Sequence, residues 1–346
     1  MSIIYCKIIF IKIINTKSVL FFTFFIFYLC EAMRDLLYLA PLQSFTDFHF
    51  RNSFQAVLGD VDRFYAPYLK MAFDGTIKEG PKFDVLPQNN PFEKVVPQVM
   101  ACCTADFLVM ANYLEDLGYT EVNWNLGCPY PMVAKRDLGS GILNKPDKIC
   151  SILEEVFRAS SLKIGIKMRM GYEDTSDILN LLPALNEFDL TEIIMHARYG
   201  KQLYNGPCDH SRFLECIPIT NHSLIYNGDI NSVADFRDLK QLFPTIHQWM
   251  IGRGAIANPF LFEMIQDDSE LLPNDFVQVF SDFLNLLLES YLRQTTNHGN
   301  ILVKMTHYWE YFASNFENGK KMCRIVKKSK SISDYSNFIA NLESFI

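Results

Sequence analysis

The stretch from Asn123 to Pro131, NWNLGCPYP, ends an apolar run with a cysteine between a glycine and a proline. A stiff turn just after a strand exposes its side chains to a site, so the thiol of Cys128 is placed to act on a ligand. A thiol with a pKa near 8.5 is mostly protonated at neutral pH and can still give up its proton, which suits a general acid. The alternative is that Cys128 is a small buried hydrophobe, as free cysteines commonly are.

Several other apolar runs also end in residues that could bind a ligand. Lys167 and Arg169 alternate with Ile166 and Met168, so they share one side of a strand. If helices cover the outside of that strand, both cations point inward and need partners or an anionic ligand. A lone histidine late in a strand is more often structural, so the whole set is stronger evidence than any member. The set comprises Pro41, Leu42, Gln43, Gln98, Asn125, Cys128, Lys167, Arg169, His196, Arg198, Asn227, Gly228, Asp229, Gly252 and Arg253.

Two glycine turns near the end of this series predict a phosphate site. They are YNGDI (226–230) and IGRGA (251–255), and Arg253 could add a charge-assisted hydrogen bond to a phosphate. Glycines that serve only to reverse the chain are the alternative. A phosphate-bearing cofactor would bring its ring system toward Gln98, Lys167 and His196. A lysine beside the N1–C2 region of a flavin would stabilise the anionic reduced ring.

The elements that must position these residues alternate short apolar runs with longer amphipathic ones. Near-continuous apolar strands alternating with helices indicate a parallel sheet covered on its outer face. Eight such units predict an α/β fold, a (β/α)8 TIM barrel whose active site lies at the carboxyl ends of the strands; a doubly wound open sheet is the competing interpretation. The runs are 36–41, 62–68, 94–100, 121–127, 163–170, 192–198, 223–230 and 248–255, and 148–160 and 232–243 show helical spacing.

After residue 259 the pattern becomes helical, over 275–294, 302–316 and 322–345. This predicts a barrel domain over 33–265 followed by a small C-terminal helical domain over 270–346. Tyr308, Trp309 and Tyr311 fall among helix-spaced apolar residues and are expected in the core. Seven basic residues in 304–330 face only Glu310 and Glu317, which favours either a phosphate-binding patch or a plain solvated face. They are Lys304, Lys320, Lys321, Arg324, Lys327, Lys328 and Lys330.

Composition limits the class of protein. The 346 residues carry a net charge of −7, which argues against a protein that coats nucleic acid indiscriminately. Nine cysteines form no C-x-x-C pair, so neither a disulfide framework nor a zinc site is expected. A reducing, cytoplasmic location is the simpler interpretation.

Residues 1–32 are expected to lie outside the fold. They carry three lysines and then a run of uncharged, mostly apolar residues, Ser18 to Cys30, which is too short for a bilayer span. We favour a start codon assigned too early, because Met33 leads directly into the first strand run. A membrane anchor and an additional helix are the alternatives.

Six segments, in chain order, resemble the tRNA-dihydrouridine synthases. The most specific is the Gly-Cys-Pro turn followed by the basic, glycine-rich loop 134–141, and the resemblance covers about residues 33–346. Asn123 and Leu42 depart from the family, which usually has Asp and commonly Met there; neither is reactive, so the subfamily is affected more than the activity. The segments are 40–51, 123–143, 166–172, 195–198, 226–230 and 251–255.

The resemblance implies that FMN in the barrel mouth is reduced by NADPH (or NADH) and then reduces the C5=C6 bond of specific uridines in tRNA. It implies Cys128 as proton donor and Asn125 as the residue that binds the uracil, with Arg169 assisting. It further implies tRNA binding by the helical domain. Separately, we expect no metal, no membrane association and a monomer. The implied FMN ligands are Pro41, Leu42, Gln43, Gln98, Lys167 and His196 for the flavin and ribityl chain, and Asn227, Gly228, Asp229, Gly252 and Arg253 for the phosphate.

Two other functions are compatible with these residues. An FMN-dependent reductase or dehydrogenase of a free pyrimidine would share the flavin and the cysteine but would not need the basic helical region. Deletion of residues 270–346 is expected to separate these two activities if the barrel still folds. A catalytically silent RNA-binding homologue is disfavoured by the intact Cys128, Lys167, His196 and Arg253.

Overall fold

Parallel strands form one continuous sheet around the centre of the molecule. The computed structural model describes residues 34–91 and 94–346, so the expectation for residues 1–32 lies outside the described residues. The order of neighbouring strands is β3-β2-β1-β9-β8-β7-β6-β5-β4. These strands are β1 (Leu36–Leu39), β2 (Arg63–Tyr65), β3 (Val95–Val96), β4 (Gln98–Val99), β5 (Glu121–Leu126), β6 (Lys163–Arg169), β7 (Ile193–His196), β8 (Leu224–Asn227) and β9 (Gln248–Ile251).

The sheet closes at Pro97, which divides one strand position into β3 and β4. β3 pairs with β2 and β4 pairs with β5, both in parallel, so the two ends of the sheet are the two halves of one strand. Proline has no N–H to donate, but its carbonyl still accepts from the Asn123 amide at 2.9 Å. The result is a barrel with eight strand positions, and the predicted (β/α)8 fold is confirmed. Each of the eight predicted runs contains an observed strand.

Helices cover the outside of the barrel, and the predicted helical segments are confirmed. α5 shows why: Ile149, Ile152, Leu153 and Val156 recur at helical spacing and are all buried. The helices are α1 (Phe48–Val57), α2 (Glu79–Lys82), α3 (Thr104–Asp116), α4 (Pro131–Ala134), α5 (Pro146–Ala159), α6 (Asp177–Leu185), α7 (His210–Cys216), α8 (Val233–Leu242), α9 (Arg253–Ala257), α10 (Leu261–Gln266), α11 (Phe276–Gln294), α12 (His298–Phe312), α13 (Gly319–Lys328) and α14 (Ile332–Ala340).

Strand alternation separates the helix-facing side chains from those inside the barrel. On β5, the indole of Trp124 meets Phe107 of α3 edge to face, with 5.6 Å between ring centroids. Asn123 and Asn125, the neighbours of Trp124, therefore point to the opposite face, which is the barrel interior. The same alternation on β6 turns Lys167 and Arg169 inward.

The C-terminal helices pack directly on α1. Phe50 and Phe54 of α1 lie 5.6 and 6.2 Å from Phe283 of α11, measured between ring centroids. Asp47, the N-cap of α1, accepts a hydrogen bond from the Tyr291 hydroxyl at 2.6 Å and pairs with Lys304 at 2.9 Å. Leu37–Ile346 accordingly forms one compact unit. The domain boundary between 265 and 270 stays a prediction.

Because of this packing, deletion of residues 270–346 is a poor test of substrate preference. Removing residues 270–346 would expose Phe50 and Phe54 and leave Asp47 without Tyr291 and Lys304. Loss of turnover after that deletion would therefore report damage to the barrel as readily as loss of a substrate contact. Point substitutions on the surface are the cleaner test.

No helix within residues 34–91 and 94–346 combines the length and the apolar character needed to span a bilayer.

Arg51 is expected to be a main determinant of stability. Its guanidinium is fully buried and donates to the carbonyls of Thr46 and Asp84 and to Asn90 Oδ1, at 2.6–2.8 Å. Arg51→Met removes the charge that balances the Asp84 carboxylate, 3.8 Å away, and leaves the Thr46 carbonyl and Asn90 Oδ1 without this donor in the interior. We expect the free energy of unfolding to fall by about 3 kcal/mol, measured by denaturant unfolding.

The matched control is Arg158→Met, which removes an exposed pair with Glu154 at 3.6 Å on α5. This variant should lose less than about 1 kcal/mol. An equal loss in both variants would contradict a special role for Arg51.

Candidate active site

One cavity of about 300 Å³ opens at the carboxyl ends of the strands. It brings together residues from six of the strand ends that the sequence placed in one site; the two other predicted residues, Gln98 and Arg198, do not line it. Those that line the cavity are Pro41, Leu42, Gln43, Asn125, Cys128, Lys167, Arg169, His196, Asn227, Gly228, Asp229, Gly252 and Arg253.

The turn that carries Cys128 is held by Asn125. The Asn125 Oδ1 atom accepts from the backbone amides of Gly127 at 3.1 Å and Cys128 at 3.0 Å. On the other side, the amide and hydroxyl of Ser140 donate to the Cys128 carbonyl at 2.9 and 3.0 Å. The side chain of Cys128 is 9% exposed and reaches the cavity, with the Tyr68 hydroxyl 3.9 Å from its sulfur. The backbone that carries the thiol is therefore held on both sides.

Gly139 packs against this turn where no other residue fits. Its φ is +57°, and a Cβ atom there would lie 2.6 Å from both the Cβ and the carbonyl oxygen of Cys128. The glycine-rich loop thus crosses directly over the cysteine backbone.

Gln98 lies behind Asn125 and connects it to Asn123. The Asn125 Nδ2 atom donates to Gln98 Oε1 at 2.7 Å, and Gln98 Nε2 donates to Asn123 Oδ1 at 2.8 Å. Gln98 is fully buried, so its contacts orient the Asn125 amide. A direct contact between Gln98 and a cofactor stays a prediction. The Asn125 Nδ2 atom has a second hydrogen, which the bond to Gln98 does not use.

The side of the cavity formed by β6 to β9 is cationic. The Lys167 Nζ atom donates to Asn227 Oδ1 at 2.8 Å, and Asn227 donates in turn to the Met250 carbonyl at 2.7 Å. Burial, together with the charge of Arg169, lowers the pKa of Lys167 to about 7. The pKa of His196 is well below its usual range because of burial and the surrounding cations, so its imidazole is neutral.

Arg169 is buried with part of its guanidinium unpaired. Its Nη1 atom donates to the carbonyls of Tyr199 at 2.8 Å and Leu203 at 2.5 Å. Its Nε and Nη2 atoms have no hydrogen-bond partner in the described part of the chain. The guanidinium lies 5.2 Å from the centroid of the Tyr204 ring, and burial lowers the pKa of Arg169 to about 10. Such a group favours an acceptor-bearing ligand.

Asp229 is held between two arginines. The Arg198 guanidinium binds both carboxylate oxygens, and Arg253 Nη2 donates to Oδ1 at 3.1 Å. Arg198 also donates to His196 Nε2 at 3.2 Å. Because arginine is always the donor, Nε2 accepts and the neutral imidazole carries its proton on Nδ1. Sequence reasoning named Arg198 at a strand end without a role; its position in the structure fixes both Asp229 and His196.

Four tyrosines in the cavity wall are not among the predicted site residues. Tyr68 follows β2, Tyr130 precedes α4, Tyr204 follows β7, and Tyr311 comes from α12. Tyr311 was expected in the core with Tyr308 and Trp309; those two are fully buried, whereas Tyr311 is half-buried and lines the cavity. The Tyr204 ring lies 4.3 Å from the Arg253 guanidinium, and no motif predicted this contact.

The described residues include no group of three or more His, Cys, Asp or Glu side chains arranged to hold a metal ion.

Substitution of Gly139 should loosen the cysteine turn. In Gly139→Ala the left-handed backbone is strained and the new methyl group overlaps Cys128, so we expect the free energy of unfolding to fall by about 3 kcal/mol. Gly118→Ala is the matched control, because Gly118 has a φ of +88° but no atom within 4 Å of the position that a Cβ would take. It should lose only about 1 kcal/mol. Thermal and denaturant unfolding measure both, and equal losses would contradict the contact with Cys128.

The profile of the dihydrouridine synthase (Dus) family matches residues 38–343. A tRNA-dihydrouridine(47) synthase [NAD(P)(+)]-like protein of Arabidopsis thaliana is 26% identical over 273 residues, which are 74% of this chain but 38% of that protein. A tRNA-dihydrouridine(16) synthase of Neisseria meningitidis is 26% identical over 254 residues, 70% of this chain and 76% of that protein.

Among solved structures, the old yellow enzyme from Trypanosoma cruzi aligns with a TM-score of 0.47 at 11% identity, covering 68% of this chain and 89% of that one. Because the family profile extends over most of the sequence, from β1 into the last helices, the chain belongs to the dihydrouridine synthase family.

Proposed function

We propose that this protein is a tRNA-dihydrouridine synthase that uses FMN and NADPH (or NADH) to reduce the C5=C6 bond of specific uridines in tRNA. The observation that carries the proposal is the Cys128 thiol, fixed by Asn125 at one side of a cavity whose other side is cationic. The chain's membership of the family and the names of its relatives support the same activity.

The cavity fits an anionic, phosphate-bearing cofactor. Lys167, Arg169 and Arg253 line it against one carboxylate, that of Asp229, among the described residues. Arg198 and Arg253 already neutralise that carboxylate, so the remaining positive charge needs an anion from outside. The unpaired nitrogen atoms of Arg169 lead to the same conclusion.

The loops after β8 and β9 would hold the phosphate. Gly228 and Asp229 have φ values of +146° and +43°, which turn the backbone sharply at this point. A Cβ on Gly254 would lie 2.1 Å from the Ile230 carbonyl, so this glycine lets the two loops pack closely. We assign the phosphate to Asn227, Gly228, Asp229, Gly252 and Arg253, and the flavin and ribityl chain to Pro41, Leu42, Gln43, Lys167 and His196.

Lys167 would hold the charge that develops on the cofactor. When bound, a reduced flavin supplies the hydride for C6 of the uracil. Opposite an anionic ring, Lys167 takes up a proton and keeps it, because a neighbouring negative charge favours the ammonium form. Asn227 keeps the Lys167 amine in place at 2.8 Å.

Cys128 would deliver the proton to C5 from the other side of the base. Asn125 holds the backbone of the turn that carries the thiol and would offer its remaining Nδ2 hydrogen to a uracil carbonyl. Burial and the proximity of Cys128 raise the pKa of Tyr68, so its hydroxyl stays protonated and can donate to the sulfur after the proton has left. Arg169 would assist in binding the uracil.

The exposed face of α13 supports tRNA as the substrate. Of the seven basic residues in 304–330, Lys304 pairs with Asp47 and donates to the Ser44 carbonyl at 2.7 Å, and Lys327 pairs with Glu310 at 2.9 Å. Lys304 is therefore structural rather than part of a phosphate-binding patch. The exposed basic residues that remain are Lys320, Lys321, Arg324, Lys328 and Lys330.

The activity can be tested with the full chain, FMN, NADPH and unmodified tRNA. We expect a yellow protein that forms dihydrouridine in tRNA, detected by mass spectrometry, and no comparable reduction of free uridine. Cys128→Ala should keep the flavin absorbance and lose at least about 100-fold in turnover, because general acid catalysis is worth that much. Cys150→Ala, on α5, is the matched control and should keep full activity.

Each result has a distinct meaning. A colourless protein would contradict the flavin assignment, and a yellow protein without dihydrouridine would contradict the substrate. Equal reduction of free uridine would favour the free-pyrimidine enzyme. Full turnover by Cys128→Ala would contradict the acid role.

Binding of reduced FMN, whose ring is anionic at pH 8, should make the apoprotein take up a proton. With a pKa of about 7, Lys167 is mostly neutral at pH 8; an adjacent anion raises that pKa and protonates the amine. We expect uptake approaching one proton at pH 8 and little at pH 6, where the free and bound amine are both protonated. Calorimetry in buffers of different ionisation enthalpy measures it.

Lys167→Met should abolish the uptake. Lys163→Met, at the exposed start of the same strand, is the matched control and should leave it unchanged. Equal uptake in the Lys167 variant and the parent protein would contradict the assignment to this lysine.

A further inference from the structure

A small hairpin connects β2 to α2 and lies beside the cavity. Residues 70–78, here called the β2–α2 hairpin, fold back so that Lys78 N donates to the Lys70 carbonyl at 3.0 Å and Ala72 N donates to the Thr76 carbonyl at 2.7 Å. Asp74 Oδ1 accepts from the amide and hydroxyl of Thr76 at 3.0 and 2.7 Å. The tip is therefore an ordered turn.

This tip presents a phenylalanine to solvent. Phe73 is 95% exposed, and the Arg136 guanidinium lies 5.3 Å from the centroid of its ring. Arg136 follows α4, which carries Met132 at 85% exposure, and Tyr130, just before α4, is 61% exposed and lines the active-site cavity. We call Phe73, Tyr130 and Met132 the apolar rim. Exposed apolar residues gathered at the edge of a site mark a binding surface.

A shallow groove leads from the active site to the hairpin. This groove, of about 720 Å³, is lined by residues of the hairpin and shares Gln43 and Tyr68 with the active-site cavity. A chain that places one unit in the cavity can therefore continue along the hairpin.

The groove and rim are cationic. Lys70 and Lys78 line the groove, and Lys135 and Arg136 stand exposed after α4. Burial and the neighbouring charge of Lys78 lower the pKa of Lys70, so an anion here would be stabilised by both amines. Of the two carboxylates that line the groove, Glu79 pairs with Lys82 at 2.7 Å, whereas Asp74 keeps its negative charge, so the four basic residues outnumber the unpaired carboxylate.

We propose that the apolar rim and the β2–α2 hairpin bind the RNA nucleotides next to the uridine that enters the cavity. Phe73 stacks on a base, and Lys70, Lys78 and Arg136 bind the flanking phosphates. This inference rests on the proposed function. Turning a uridine out of folded RNA leaves its neighbours unstacked, and an aromatic face compensates because every base has a π-face to stack on it.

Phe73→Ala tests the stacking role. We expect the KM for unmodified tRNA and the Kd measured by gel shift to rise about 10-fold. The kcat at saturating tRNA, FMN absorbance and tRNA-independent NADPH oxidation should stay unchanged. Phe73→Trp, which keeps an aromatic ring, should bind tRNA as tightly as the parent protein. Leu271→Ala, 80% exposed and in neither cavity wall, is the matched control and should leave all values unchanged.

The roles of Lys70 and Lys78 are tested separately, by the salt dependence of tRNA binding. Lys70→Met and Lys78→Met should each reduce the slope of log Kd against log salt concentration by about 1, whereas Phe73→Ala should leave that slope unchanged.

The outcomes separate this inference from the proposed function. A wild-type protein that binds tRNA through Phe73 but forms no dihydrouridine would support the rim and contradict the enzyme assignment. Turnover and tRNA affinity that are both unchanged in Phe73→Ala would overturn the rim and leave the enzyme assignment standing. A drop in NADPH oxidation without tRNA would also overturn it, because the hairpin would then act through the cofactor.

Discussion

Positive charge that is withdrawn from water at the barrel mouth is the constraint on which the site depends. Lys167, Arg169, Arg198 and Arg253 stand close together where the strands converge, and isolated cations there would be strongly unfavourable. The surroundings meet this cost in part through carbonyls, the Asn227 amide and the Asp229 carboxylate. The positive charge that these groups do not balance attracts an anionic ligand.

The cavity has two sides of different character. β6 to β9 supply the cationic side, where burial keeps His196 neutral and allows Lys167 to exchange a proton near neutral pH. β5 supplies the thiol side, where Asn125 orders the backbone of the cysteine turn and Gln98 orders Asn125. A planar ligand between the two sides would meet a charge on one face and a proton donor on the other.

Much of this arrangement could be predicted from the sequence, because barrel strands are buried on both faces and appear as apolar runs. The alternation of Lys167 and Arg169 with apolar neighbours was enough to orient both. What failed depends on contacts between distant segments. The sequence pattern makes Lys304 a surface charge, whereas the fold pairs it with Asp47. The same pattern makes Tyr311 a core residue, whereas α12 brings it to the cavity wall.

The same long-range contacts govern Gln98 and Pro97. Sequence pattern puts Gln98 at a strand end, but only the pairing of β4 with β5 brings it behind Asn125. The proline in the run 94–100 could indicate an interruption, because it has no N–H for the sheet, but only the strand pairing shows that β3 and β4 are the two ends of one closed sheet. Local periodicity finds elements; the neighbours that each side chain meets are set by closure of the barrel.

The contacts of α1 with the C-terminal helices bear on how the protein is made. His49 bonds to Ser290 and Gln294, which are 241 and 245 residues further along the chain. At ordinary rates of translation, α1 emerges on the order of tens of seconds before these partners. During that interval Phe50 and Phe54 have no C-terminal helix to cover them, and β1 has no β9. The barrel cannot close until β9 has been made, and the apolar face of α1 stays uncovered until the C-terminal helices follow, so the nascent chain exposes apolar surface of the kind that chaperones shield.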